Sequence, residues 1–195
     1  MSPKVIAWMI ATACMISTSV HPPGLTGMDR SLEQAGFERI GKEEGVTVYK
    51  HSETGIIHLA AEGRFAGSPT EVRDVLLAYG DQAGRLERLE ASRILRRGPG
   101  WMLVYQRLGM PVISDRDYTL CVTWGADADT LWIRYQAQPG AGPPPSPDAV
   151  RVREHRGSWQ LVPVDGGRST RARYEMIMDM AGWVPRWLAK SAAGN

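Results

Sequence analysis

The chain has 195 residues and a mass of 21.5 kDa, the size of one ordinary domain. A chain of this length buries about 70% of its unfolded surface, so it needs neither a metal nor a disulfide to fold. Hydrophobic residues make up 43% and charged residues 23%, which excludes wholesale disorder. The net charge of +2 and pI near 8.6 fall short of the basic stripe of a nucleic-acid binder, and no nucleic-acid partner is expected. With only Cys14 and Cys121, and no paired Cys/His cluster, a structural zinc site is excluded on ligand count.

The N-terminus reads as a targeting segment over residues 1–20. Lys4 is followed by an apolar run from Val5 to Val20, too short for a comfortable membrane span and suited to a secretory signal. Ser17-Thr18-Ser19 would place cleavage near Val20. Ala11-Thr12-Ala13-Cys14 would instead make a loose lipoprotein box, with Cys14 acylated, and an uncleaved anchor is the third reading. Arg outnumbers Lys 19 to 4, a bias that suits a high-GC bacterial coding sequence. The expectation is an exported protein, periplasmic or secreted, with residues 21–27 as linker and 28–195 as one folded domain.

Met28 to Ile40 carries Leu32, Ala35, Gly36, Phe37 and Ile40 at helical spacing and is predicted as a helix. Val46 to Lys50 and Ile56 to Gly63 follow as strands. Ser68-Pro69-Thr70-Glu71 is a capping box with proline at the first helical position. It predicts a helix through Val72, Val75, Leu76 and Tyr79 that stops at Gly80. Asp81 to Glu90 reads as a short helix and loop. Strands are then predicted at Ser92–Arg97, Trp101–Met110, Tyr118–Trp124, Leu131–Gln138, Val150–Arg156, Trp159–Val164 and Arg171–Asp179. The stretch Pro139 to Pro147 is a loop between two of them. Gly182 to Lys190 closes the chain as a short amphipathic helix. Many strands and few helices predict an α+β fold whose antiparallel sheet curls around something.

The segment Val104 to Tyr118, with Ser114-Asp115-Arg116-Asp117-Tyr118 at its end, resembles the core signature of START (StAR-related lipid-transfer) domains. Gly45-Val46-Thr47-Val48-Tyr49, Arg156-Gly157-Ser158-Trp159-Gln160-Leu161, and Tyr174 through Leu188 resemble further blocks of that family in the same order. The resemblance covers residues 28 to 190. It implies a helix-grip (SRPBCC-type) fold: a curved antiparallel sheet wrapped around a C-terminal helix, enclosing one apolar cavity. It also implies a single bound lipid or other hydrophobic molecule, transient membrane contact, a monomer, and no catalysis or cofactor.

Strand alternation assigns cavity-facing candidates independently. Met102, Val104, Gln106, Leu108 and Met110 share one face, as do Tyr118, Leu120, Val122 and Trp124, and Ala172, Tyr174, Met176, Met178 and Met180. An apolar face with an occasional polar group suits a ligand, and flexible methionines adapt to irregular shapes. The same side chains could simply fill a core. Sterol-binding relatives carry a buried carboxylate and arginine at positions that match Gln106 and Val122, so this chain lacks that ion pair. Trp183, Val184, Trp187 and Leu188 form one face of the terminal helix and are the candidate lid or membrane contact.

Asp115-Arg116-Asp117 reads as an arginine paired with a carboxylate at a strand end rather than as a catalytic cluster. The four histidines show no metal spacing, and Cys121 is expected as a buried, inert thiol. No catalytic residue is assigned, and hydrolase, dinucleotide and ATPase motifs are absent from the sequence. Two readings of other classes stay open: a helix-grip enzyme of the cyclase or aromatase type, and an envelope interaction or chaperone module.

Overall fold

A computed structural model describes residues 28, 30–51 and 56–181. Its framework is one sheet of ten strands: β1 (Glu38–Glu43), β2 (Val46–His51), β3 (Ile57–Ala66), β4 (Leu89–Gly98), β5 (Trp101–Leu108), β6 (Asp115–Asp127), β7 (Thr130–Ala137), β8 (Ala149–Arg151), β9 (His155–Val164) and β10 (Ser169–Met178). Nine of them run in the order β1-β2-β3-β10-β9-β7-β6-β5-β4, and β8 pairs with β6. Every pairing is antiparallel except β6 with β8. Register shifts interrupt β1–β2 and β4–β5, the two pairs at the sheet's edges. Bulges there sharpen the twist and bend the edge strands away from flat pairing.

The α-helix among the described residues is α1 (Pro69–Leu76). Its start is what the sequence predicts. The Ser68 hydroxyl accepts the Glu71 N–H, the Glu71 carboxylate accepts the Ser68 N–H at 2.7 Å, and Pro69 opens the first turn. Its end is earlier than predicted. The helix stops at Leu76, and Tyr79–Asp81 forms a separate 3-10 turn containing Gly80. Tyr79 is turned into the core by that break.

The helix predicted over Met28 to Ile40 is not formed. Residues 32–36 make turns, and the chain enters β1 at Glu38. Gly36 explains the difference: its φ of +90° is the left-handed conformation that ends a helix after a single turn. The apolar residues that mimicked a helical stripe pack instead as Leu32 and Phe37 with Tyr49 and Ala60 on the outer face of the sheet. The strand predicted at Val150–Arg156 is two elements, since β8 ends at Arg151 and β9 begins at His155. The predicted terminal helix lies outside the described residues.

The core sits on the inner face. One row crosses six strands in register: Met102 (β5), Val122 (β6), Tyr135 (β7), Gly157 (β9), Met176 (β10) and Leu59 (β3). The next row carries Trp124, Ile133, Trp159, Tyr174, Ala61 and Val48. Leu76 from α1, then Tyr79 and Leu86, pack over the same cluster. Gly157 is required within the first row. A Cβ there would collide with the Glu175 carbonyl and the Tyr135 hydroxyl, so the missing side chain is what lets Tyr135 lie across β9.

Candidate apolar ligand site

The predicted alternation is realised. Met102, Val104, Tyr118, Leu120, Val122, Tyr174, Met176 and Met178 all join the inner-face cluster, and Leu108 packs against it half-buried. Val104, Leu120 and Val122 are wholly shielded from solvent. Side chains from β5, β6 and β10, strands far apart in sequence, thus form one apolar surface. Burying each large aliphatic side chain of this kind contributes about 2 kcal/mol.

Polar groups on this face form two sets. The first is a rung of cross-strand neighbours, Ser92 (β4), Gln106 (β5) and Tyr118 (β6). Gln106 Nε2 donates to Ser92 Oγ at 3.0 Å and to Gln82 Oε1 at 3.2 Å, and Gln82 Nε2 reaches the Leu76 carbonyl at 3.4 Å. Sequence reasoning singled out Gln106 but missed Gln82 and Ser92. Gln82 sits in a stretch whose charge density marks it as surface, and only its burial shows otherwise.

The second set is aromatic. The Tyr135 hydroxyl donates to the Tyr174 hydroxyl at 2.6 Å, with Trp159 stacked on Tyr174 at a 4.6 Å centroid separation. His155 meets the edges of Tyr118 and Tyr135 at 5.1 and 5.9 Å. Burial lowers the His155 pKa to about 3, so its imidazole is neutral at ordinary pH. Burial likewise pushes the Tyr118, Tyr135 and Tyr174 phenols upward, so they too stay uncharged.

The Ser114-Asp115-Arg116-Asp117-Tyr118 block is built differently from the expectation. Arg116 is buried, yet it pairs with no carboxylate among the described residues. Its Nε donates to the Met180 carbonyl at 3.0 Å, and its two terminal nitrogens donate to the carbonyls of Ser114 (2.5 Å) and Ala181 (3.0 Å). The two carboxylates have other partners. Asp115 takes Arg107 and the Met110 N–H. Asp117 is held bidentately by Arg151 at 2.8 and 2.7 Å and accepts the Tyr105 hydroxyl at 3.2 Å. The reason is strand alternation: Asp115 and Asp117 face outward while Arg116 faces inward, so neighbours in sequence stand on opposite sides of the sheet.

The outer face carries its own charges. Glu175 and Arg173 alternate with Met176 and Tyr174. Glu175 lies 2.9 Å from His58 Nε2, and Arg173 binds Glu62 and the Arg30 carbonyl. The last of these contacts ties the start of the turn at residues 30–37 to the back of the sheet. Cys121, buried with Leu103 on that side, is disulfide-bonded, which corrects the expectation of a lone thiol. Among the described residues no cluster of His, Cys, Asp and Glu could hold a metal ion. Cys14 and the lid candidates Trp183, Val184, Trp187 and Leu188 lie outside the described residues.

No family model matches this sequence, and no curated protein matches it. Solved structures do. A StAR-related lipid transfer protein from Xanthomonas axonopodis superposes with a TM-score of 0.71 at 24% identity, over 80% of this chain and 89% of that one. Human STARD10 gives 0.67 at 18% identity, over 81% of this chain and 67% of that one. Human StAR-related lipid transfer protein 5 gives 0.64 at 20% identity, over 80% and 78%. The large antiparallel sheet with its short helix is therefore the fold of the StAR-related lipid-transfer domains.

Proposed function

We propose that this chain binds one neutral, largely apolar molecule against the inner face of the sheet and carries it between membranes without chemically changing it. The observation that carries this reading is the continuous apolar surface contributed by β3, β5, β6, β7, β9 and β10, in a fold shared with proteins named for lipid transfer. Two features support a carrier over a cyclase-type enzyme. The inner-face phenols have raised pKa values and His155 a lowered one, all because of burial. None of these groups is poised to exchange a proton near neutral pH, as general acid–base catalysis requires.

Membrane contact has a support among the described residues too. Val112, at the tip of the β5–β6 loop, is 82% exposed and has a φ of +66°, a costly conformation for a β-branched residue. Met110, Pro111 and Ile113 flank it. An apolar tip held out in this way suits brief insertion among lipid headgroups. Val112→Asp is expected to weaken binding to anionic vesicles at least tenfold in a flotation assay, with the melting temperature unchanged; equal flotation refutes the contact. Export through the N-terminal segment belongs to the same reading, since a carrier in the envelope has membranes on either side.

The test is native mass spectrometry of the protein isolated from its own envelope, followed by solvent extraction. A stoichiometric adduct that extracts as a lipid is the expected result. A clean unliganded mass, unchanged after incubation with mixed envelope lipids, overturns the carrier and favours the envelope interaction module.

A further inference from the structure

Two atoms of the polar rung are unmet. Gln106 and Tyr118 are direct cross-strand partners, and both are 0% exposed. The Gln106 amide is oriented by its two donated bonds, to Gln82 and Ser92. That leaves its Oε1 without a partner, and the Tyr118 hydroxyl has none either. The two do not bond each other. Other buried unmet atoms, on Thr119, Trp132, Arg156 and His58, belong to residues that alternation turns to the outer face. Among the described residues, then, the inner face presents one unmet acceptor and one unmet hydroxyl, on the same rung. Leaving such groups buried destabilises a protein, and phenylalanine at 118 would remove one of them at no cost in packing.

We infer that this rung captures the hydroxyl of a neutral ligand. The inference rests on the apolar-ligand reading above and names the ligand's polar group. A hydroxyl is the small group that answers both atoms: its O–H donates to Gln106 Oε1, and its oxygen accepts the Tyr118 O–H. Cross-strand neighbours have Cβ atoms about 5 Å apart, so both side chains start from one place on the sheet. In the empty protein a water can hold the same two contacts, and a ligand hydroxyl reproduces them. An ether, ketone or ester accepts from Tyr118 but leaves Gln106 Oε1 unmet. A carboxylate or phosphate brings negative charge against that oxygen. The buried cation on this face among the described residues, Arg116, already donates to three carbonyls. The rung thus selects an alcohol over its ether and over an acid.

The test uses the full chain and two matched pairs, hexadecanol with hexadecyl methyl ether and cholesterol with its methyl ether, plus hexadecanoate. Binding is measured by native mass spectrometry and by displacement of a fluorescent apolar dye. At least one alcohol is expected to bind tenfold or more tightly than its ether, and hexadecanol more tightly than hexadecanoate. Tyr118→Phe is expected to weaken the alcohol about tenfold, to weaken the ether too, since both accept its O–H, and to keep or raise the melting temperature of the unliganded protein. Alcohol and ether bound within twofold of each other leave the carrier standing and overturn the hydroxyl inference. So does hexadecanoate binding most tightly. A Tyr118→Phe chain that melts lower and still binds the alcohol as tightly as the wild type assigns the hydroxyl to the fold and also overturns it. Failure of every probe to bind the folded wild-type chain removes the carrier reading and this inference together.

Discussion

Acid is expected to destabilise this protein through His155. The imidazole is 3% exposed, and burial lowers its pKa from 6.5 to about 3 in the folded chain. Above pH 6.5 neither state binds the proton, so His155 makes no pH-dependent contribution. Below pH 6.5 the unfolded chain takes up a proton that the folded chain refuses, and stability falls by about 1.4 kcal/mol per pH unit. The loss continues until the pH reaches about 3, where the folded imidazole protonates too. Between pH 7.5 and pH 5.0 the expected loss from this residue is about 2 kcal/mol, a factor of about 30 in the unfolding equilibrium. Carboxylates titrate in the same range, so the measurement is a difference. Urea unfolding is followed at both pH values for the wild type and for His155→Phe, whose ring keeps the edge contacts with Tyr118 and Tyr135. The variant is expected to lose about 2 kcal/mol less than the wild type over that interval. Equal losses in the two chains would show that His155 is protonated, or reaches water, in the folded protein.

Three other substitutions probe the framework. Ser68→Ala removes the capping box of α1 and is expected to cost about 1 kcal/mol in urea unfolding; a change within error would mean that the α1 N-terminus does not contribute to global stability. Gly157→Ala drives a methyl group into the Glu175 carbonyl and the Tyr135 hydroxyl. A loss of about 3 kcal/mol is expected, and an unchanged melting temperature would mean that β9 and Tyr135 are not placed as described. Arg116→Lys keeps the charge but loses the three-pronged donor. It is expected to cost about 3 kcal/mol and to speed amide exchange over residues 178–181, whereas wild-type exchange there would show that the carbonyl contacts do not hold the chain.

The strands and their faces were legible in the sequence because the alternation of Met102 to Met110, Tyr118 to Trp124 and Ala172 to Met180 is driven by the burial that the structure shows. The capping box was legible because its chemistry is local. What failed was non-local. Leu32, Phe37 and Ile40 have helical spacing, but Gly36 breaks the helix, and a cluster on the back of the sheet buries Leu32 and Phe37. Gln82 looks like a surface residue among charges until the Gln106 amide meets it. The partner of Arg116 could not be read either, since Met180 and Ala181 offer it backbone carbonyls, which carry no side-chain signal.

The Asp115-Arg116-Asp117-Tyr118 block makes sense once its residues are separated by face. The outward pair is structural. Asp115 binds Arg107 on β5 and ties the β5–β6 loop through the Met110 N–H, and Asp117 ties β8 and the Pro139 and Pro143 carbonyls through Arg151. The inward pair stands on the inner face of the sheet. Arg116 grips the chain at Met180 and Ala181, just after β10, where Ala181 takes a φ of +51°. Tyr118 stands two residues further along the same strand, on the rung with the unmet atoms. One strand therefore fixes both the point where the chain leaves β10 and the unmet Tyr118 hydroxyl. A shift of β6 by a fraction of an ångström would be felt at both places, because the packed interior between them has no slack to absorb it.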